Sequence, residues 1–297
     1  MSLVFSYLRR LHVDVVFFSF FFSVLFCFCC AFSDNLLSFW VFLELCGMSL
    51  IPSFFYMSNA SLQGFYSALL SYVVMSGLSS VFLVSGLIIE DLYYFVLLGF
   101  LVKFGLFPFS LWVYRVFSGS NWLFIFFLSV ISKFPILFFC YLLRSGVEAL
   151  LYFDSFITIL MCSCFFWLFS QNWEIVWCHI SLSSVSTLLV ACFCSDFLVS
   201  SFIYGYYFLW ASLCIFYFYF LSESEGVKNG FWWYCFLLLV TPVSLPLFYK
   251  LSVCISIIYS SLYLLLIWSV YSFSEQFFLY KLASDYFYSS VYNDWSE

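Results

Sequence analysis

The sequence predicts an all-α fold: a polytopic transmembrane bundle of about ten helices, arranged as two inverted five-helix repeats with two proline-broken helices. Three observations carry this reading. Hydrophobic residues fill 66% of the 297 positions and charged residues only 8%, where soluble domains carry roughly 25% charged residues. The apolar runs are unbroken over some twenty residues, the length of a helix crossing a ~30 Å hydrocarbon layer, whereas barrel strands alternate over about ten. A lysine beside proline occupies the fourth run of each half. A water-soluble domain is excluded, and so are disordered, collagen-like and small disulfide-framed chains, which need polar, Gly/Pro-rich or short Cys-framed sequences.

The predicted spans lie near 14–33, 36–58, 63–89, 92–114, 121–143, 148–170, 173–194, 197–221, 231–253 and 255–273. The first follows Arg9-Arg10, and Cys27-Phe28-Cys29-Cys30 offers no small-x-small cleavage site, so it reads as a mature helix and not a signal peptide. Connections are short and no Gly/Ser/Pro-rich linker sets off a second unit. The chain is therefore expected to be a single membrane domain, with a first repeat over 14–143, a second over 148–273 and a polar, aromatic tail over 274–297. That tail, with Glu275, Lys281, Asp285, Asp294 and Glu297, is too polar to be read as a span and suits an interfacial segment or a subunit contact. No final carboxy-terminal helix is evident, so ten spans is the count and eleven the alternative.

Basic residues set the orientation, because Lys and Arg are retained on the side from which insertion occurs. With ten spans the amino-terminal side collects Arg9, Arg10, Arg115, Lys228 and Lys281 and the other side only Arg144. The amino terminus is expected to face the cytoplasm-equivalent compartment. The 13 cysteines form no Cys-x-x-Cys; the closest pairs, Cys27/Cys29, Cys162/Cys164 and Cys192/Cys194, point about 200° apart on a helix, which is wrong for joint metal ligation. They read as buried apolar thiols. The excess of Phe, Tyr, Cys, Trp and Leu is what a T-rich coding strand produces, which suggests a small organellar genome and makes the aromatics a filler of lipid-facing and partner-facing surface.

An ionisable side chain at the middle of a span costs ~2.5–3.5 kcal/mol on insertion scales, so each is a functional candidate by default. Four stand near span centres: Glu44, Lys103, Lys133 and Lys250. Lysines whose partners or hydration change can take and release protons, and a row of such groups joined by water is a proton relay. The competing structural reading is a set of fixed ion pairs, with Glu44 and Lys103 able to pair and Lys133 and Lys250 lacking an obvious partner. Pro108 follows Lys103, and Pro242 with Pro246 precedes Lys250. Proline removes a backbone donor and clashes with the preceding turn, so both spans should be broken beside their lysine, as in membrane proteins that place freed backbone groups at a polar midplane cavity. With five spans per repeat the broken, lysine-bearing span is fourth in each, and the odd number inverts the second copy.

Lys103-Phe-Gly-Leu-Phe-Pro-Phe-Ser-Leu-Trp-Val113 followed by Ser132-Lys-Phe-Pro135 resembles the core signature of NADH–ubiquinone oxidoreductase chain 2. Trp40 to Pro52, with Leu43-Glu44-Leu45, is similar to that family's early glutamate helix. His179-Ile-Ser-Leu-Ser-Ser-Val185 is similar to its second-repeat Ser-Ser motif, and Leu245-Pro-Leu-Phe-Tyr-Lys250 to its second broken helix. The resemblance runs in order from about residue 36 to 255. It implies an antiporter-like subunit in the membrane arm of respiratory complex I, in the mitochondrial inner membrane with its amino terminus in the matrix. It also implies a proton-transfer axis of Glu44, Lys103, Lys133 and Lys250, with His179 as an additional relay candidate. Flavin, iron–sulfur clusters and quinone are expected in other subunits and no cofactor or metal in this chain. The expected partners are neighbouring membrane-arm subunits, including other antiporter-like ones, and phospholipid, with no nucleic acid. The chain departs from the family pattern at Ser110, where His is usual, at Tyr114-Arg115, where Pro-Glu is usual, and at Thr187, where a His follows the Ser-Ser pair; Arg115 is read as a loop charge. Two other functions compete: a self-standing secondary cation/proton antiporter, which would need paired midplane carboxylates such as Glu44 and Asp154, and a non-conducting structural anchor.

Overall fold

The computed structural model describes the chain except residues 1, 56–61, 90–93, 143–147, 224–229 and 288–297, and except the side chains of 2–13, 62–63, 141–148, 223 and 286–287. Arg144, Lys228, Asp294 and Glu297 therefore lie outside the described residues, as do the side chains of Arg9 and Arg10. The described residues form helices and no strand, as lipid requires of an open chain: each backbone N–H and C=O must be paired within its own segment.

The first five crossings are α1 (Ser2–Ala31), α2 (Leu36–Leu50) prolonged by a 3-10 turn over Ile51–Phe55, α3 (Leu62–Ile88), the pair α4 (Tyr94–Phe104) and α5 (Leu111–Gly119), and the pair α6 (Trp122–Ser129) and α7 (Ile136–Leu142). The next five are α8 (Glu148–Phe169), α9 (Trp173–Cys194), α10 (Phe197–Glu223), the pair α11 (Phe231–Leu237) and α12 (Leu245–Ile258), and α13 (Leu262–Phe287). Among the described residues eight stretches are long and apolar enough to span a membrane, and α4 and α12 are shorter apolar helices within the two interrupted crossings. The fourth crossing of each half is broken, as the sequence predicts.

The tenth crossing is a correction. The sequence reading ends the last span at 273 and leaves 274 onwards as a tail, yet α13 runs unbroken from Leu262 to Phe287 and is apolar enough to span from Leu262 to Asp285. It is the least apolar of the eight long spans, because Glu275 lies inside it; the side chain is buried, not displayed to lipid. The ninth crossing likewise extends to Ile258, beyond the expected 253. Arg115 is also corrected: it sits in α5, on an exposed face, and not in a loop.

The breaks have different causes from the ones proline alone suggests. Helix α4 stops at Gly105, whose φ of +68° is a left-handed conformation. The Gly105 N–H bonds Val102 O at 3.2 Å and the Leu106 N–H bonds Leu101 O at 3.0 Å, the double closure of a glycine-terminated helix. Pro108 lies within the gap that follows. In the ninth crossing Pro242 lies in the gap, whereas Pro246 occupies the first turn of α12, where its missing N–H costs nothing. A third break, not predicted, divides the fifth crossing: α6 gives way to a 3-10 turn over Ile131–Lys133 just before Pro135.

A Cβ added at Gly105 would lie 2.1 Å from Val113 Cγ2. Gly105→Ala is therefore expected to lose more than the ~1–2 kcal/mol that a left-handed residue costs by itself, read as a lower thermal aggregation temperature of the purified membrane complex. Unchanged stability would show that α4 and α5 do not hold this geometry.

Helix α9 is the bundle's axle. It packs against α5, α7, α8, α10 and α12, and 89% of its spanning window is buried. A helix enclosed on all sides needs no lipid-facing stripe, so it carries Ser181, Ser183, Ser184, Ser186 and Thr187 in the interior. Ser183, Ser184, Ser186 and Thr187 each donate to the carbonyl three residues back, at 2.7 to 3.2 Å, which silences the hydroxyl donors but leaves their lone pairs available.

Candidate functional site

The four charges predicted from the sequence all lie within the bundle, and a fifth joins them. In the first half Lys103 Nζ donates to Glu44 Oε1 at 2.8 Å and to Ser76 Oγ at 3.2 Å. The two ion-pair side chains are 11% and 17% exposed. Lys103 occupies the last turn of α4, where the negative end of the helix dipole favours a cation. Gly47, one turn beyond Glu44 on α2, provides room: a Cβ there would stand 3.3 Å from Lys103 Nζ. The Tyr72 hydroxyl closes the same site by donating to Gly47 O at 2.9 Å.

Two small cavities adjoin the Lys103 ammonium. The first, about 30 Å³, is lined by Gly47, Tyr72, Ser76, Lys103 and Ser132 among apolar neighbours. The second, about 20 Å³, is lined by both Lys103 and Lys133, together with Ser132 and Ser181. Each has room for about one water, which needs ~10–15 Å³ by this measure and two or more polar partners. The α4–α5 break opens this space, since Phe104, Trp112 and Val113 line it from both sides of the gap.

Lys133 is 2% exposed and has no carboxylate partner among the described residues. Its ammonium instead donates to Ser181 O, Ser184 Oγ and the Tyr207 hydroxyl, each at 2.7 Å, so its three N–H groups meet three neutral acceptors. The Tyr207 hydroxyl in turn donates to Ser129 O at 3.0 Å. Farther along, the Tyr207 ring packs against Tyr249, 5.7 Å between centroids, and the next residue is Lys250.

Lys250 is buried on α12, 3.0 Å from Glu275 Oε2 of α13. This pair corrects the expectation that Lys250 lacks a fixed partner. The neighbouring Gln276 holds the backbone that leaves α11: its Oε1 accepts from Val240 N at 2.8 Å and its Nε2 donates to Leu238 O at 3.3 Å and Glu275 Oε1 at 3.4 Å.

Aromatic side chains donate to backbone carbonyls that border the breaks. Trp112 Nε1 donates to Val102 O at 3.1 Å. From α10, Tyr207 and Tyr204 donate to Ser129 O and Val130 O at 3.0 and 3.1 Å, while Trp210 and Tyr206 donate to Leu237 O and Leu245 O at 2.8 and 3.1 Å. One face of α10 thus supports two broken crossings, a task beyond filling lipid-facing surface.

His179 is fully buried, but α9 turns it about 200° away from Ser181. Its Nδ1 lies 2.8 Å from the Tyr114 hydroxyl and its Nε2 has no hydrogen-bond partner among the described residues. Asp154, on α8, is buried with Oδ2 similarly unpartnered. Among the described residues neither forms an ion pair with a lysine. The cysteines are free; Cys27 and Cys46 Sγ stand 3.3 Å apart in the core, while Cys164 is exposed. Among the described residues, no three His, Cys, Asp or Glu groups gather as a metal site.

Fold and site together define a multi-pass helical membrane protein whose interior holds ion pairs, hydroxyls and hydratable space at broken helices. Among solved structures it is similar to a chain of "Respiratory complex I from Thermus thermophilus with bound Aureothin", with a TM-score of 0.74 and 16% identity over 91% of this chain and 69% of that one. At that identity the likeness is one of fold. No protein-family model and no curated protein matches the sequence.

Proposed function

We propose that the chain is a membrane-arm subunit of respiratory complex I, of the antiporter-like chain 2 kind, and that it carries protons along Glu44, Lys103, Lys133 and Lys250. The enzyme to which it contributes is proton-translocating NADH:ubiquinone reductase. Flavin, iron–sulfur clusters and quinone belong to other subunits in this reading, and this chain moves protons in response to their chemistry. Its place is the mitochondrial inner membrane, amino terminus in the matrix, among neighbouring membrane-arm subunits and phospholipid.

The observation that carries the reading is Lys133: a fully buried ammonium held by three neutral acceptors and joined by a hydratable cavity to the Glu44–Lys103 pair. A merely structural lysine would be better placed against a carboxylate, since a buried charge is costly unless paired. Support for the family comes from the shared fold and from the sequence motifs around Lys103 and Lys133. A self-standing cation antiporter fits less well, because Glu44 and Glu275 each face their own lysine instead of one another.

Mild solubilisation of the native membrane, isolation through this chain and identification of its neighbours by mass spectrometry test the assignment. Co-isolation with flavin- and iron–sulfur-containing subunits and NADH:quinone activity is the expected result. A chain running alone, or transporting a cation against protons in vesicles without other subunits, would refute it.

A further inference from the structure

We infer that Glu275 is a proton-transfer residue, the acceptor of the Lys250 proton, and that it ends the second half of the axis in an ion pair as Glu44 and Lys103 begin the first; the inference rests on the proton-carrying function proposed above. Three observations converge on it. Glu275 is 2% exposed in the middle of a spanning helix, and Oε2 is 3.0 Å from Lys250 Nζ. Gln276 anchors α13 to the backbone just past the end of α11, in the ninth-crossing break, and touches the other carboxylate oxygen, so the carboxylate is positioned at the broken backbone. Finally, α13 is the fifth crossing of its half, the place Lys133 holds in the first. Each half thus brings an ionisable group from its fifth crossing toward the interior with the lysine of its fourth.

The chemistry of the pair suits transfer. A Lys250 N–H bond breaks and a Glu275 O–H bond forms, turning ammonium and carboxylate into amine and carboxylic acid. Net charge is zero before and after, so no unpaired charge is left in lipid, where it would be costly. The Lys250 amine can then accept the next proton from the Lys133 side, and the Glu275 acid can release its proton to water. Ser181 and Ser184 of α9 show why the carboxylate comes from α13: the second crossing of this half, where Glu44 has its counterpart position, is given over to holding Lys133.

The test uses the intact complex in sealed vesicles, with NADH-driven acidification, NADH oxidation and redox-induced infrared difference spectra measured together. Glu275→Gln is expected to assemble, to lose most proton translocation and to lose a carboxyl C=O difference band. Glu275→Asp is expected to recover part of the translocation and to shift that band. Should Glu275→Gln fail to assemble, Glu275→Asp decides: a shifted carboxyl band supports proton transfer, and an unshifted one overturns it. Normal pumping by Glu275→Gln also overturns the inference. Lys103→Met in the same assay separates the two levels: if it loses pumping while Glu275→Gln does not, only the role of Glu275 falls, whereas normal pumping by Lys103→Met removes the underlying function as well.

Discussion

Lys103→Met is expected to abolish most NADH-driven proton translocation and to lower the yield of assembled complex. Glu44 would be left 17% exposed without its cation, and removing one partner of a buried pair typically costs about 3–5 kcal/mol; partial exposure and Ser76 place this site toward the low end. The two effects separate in the Glu44→Gln/Lys103→Met double variant. Replacing a buried pair by uncharged groups of similar volume is often neutral for stability, so the double variant should regain assembly on native gels while remaining deficient in pumping. If assembly and pumping return together, the pair is a structural brace and not part of a relay.

This pair was the most legible part of the interior. Two opposite charges near the middle of apolar spans have few ways to avoid the cost of lipid, and pairing is the simplest. The Lys250–Glu275 pair was hidden by the same arithmetic applied one step too far. A hydropathy count treats Glu275, Lys281 and Asp285 as equal penalties on a span, but Glu275 is buried against a cation while Lys281 and Asp285 are exposed near the helix end. A partner on a different crossing is invisible to a window that reads one crossing at a time.

The breaks were legible in place but not in cause. Pro108 and Pro242 marked the right crossings, yet the stop of α4 is set by Gly105 in a left-handed conformation, and Pro246 begins a helix. Pro135, two residues after Lys133, marks the fifth-crossing break, but the hydropathy of that run gives no sign of it. The aromatic residues are hard to read from composition for a related reason. Coding bias can explain how many there are, but it cannot say that Tyr204, Tyr206, Tyr207 and Trp210 stand beside the backbone carbonyls that border two breaks. Tyrosine and tryptophan combine an apolar body with one polar atom, which is the combination a broken helix in lipid requires.

Lys133→Met is expected to separate stability from function more sharply than any other change in the chain. The native ammonium is 2% exposed with no anion beside it, and even with three good acceptors a buried ion retains a penalty of several kcal/mol relative to water. Methionine has a similar length and no charge to desolvate. It leaves Ser184 bonded to Ser181 O and Tyr207 bonded to Ser129 O, so the surrounding network stays satisfied apart from the lost lysine donors. The variant complex should therefore assemble at least as well as the unaltered one and resist heating equally, by native gel and thermal inactivation of its redox activity. Proton translocation should nevertheless fall, because the cavity from Lys103 would then end on a side chain that cannot be protonated. A loss of assembly would show that Lys133 is a structural cross-link between α9 and α10. Preserved translocation would move the proton route away from this cavity. A stable complex that does not pump is the combination that only a proton-carrying lysine produces, since a destabilising charge is kept in the core for what it does rather than for what it holds together.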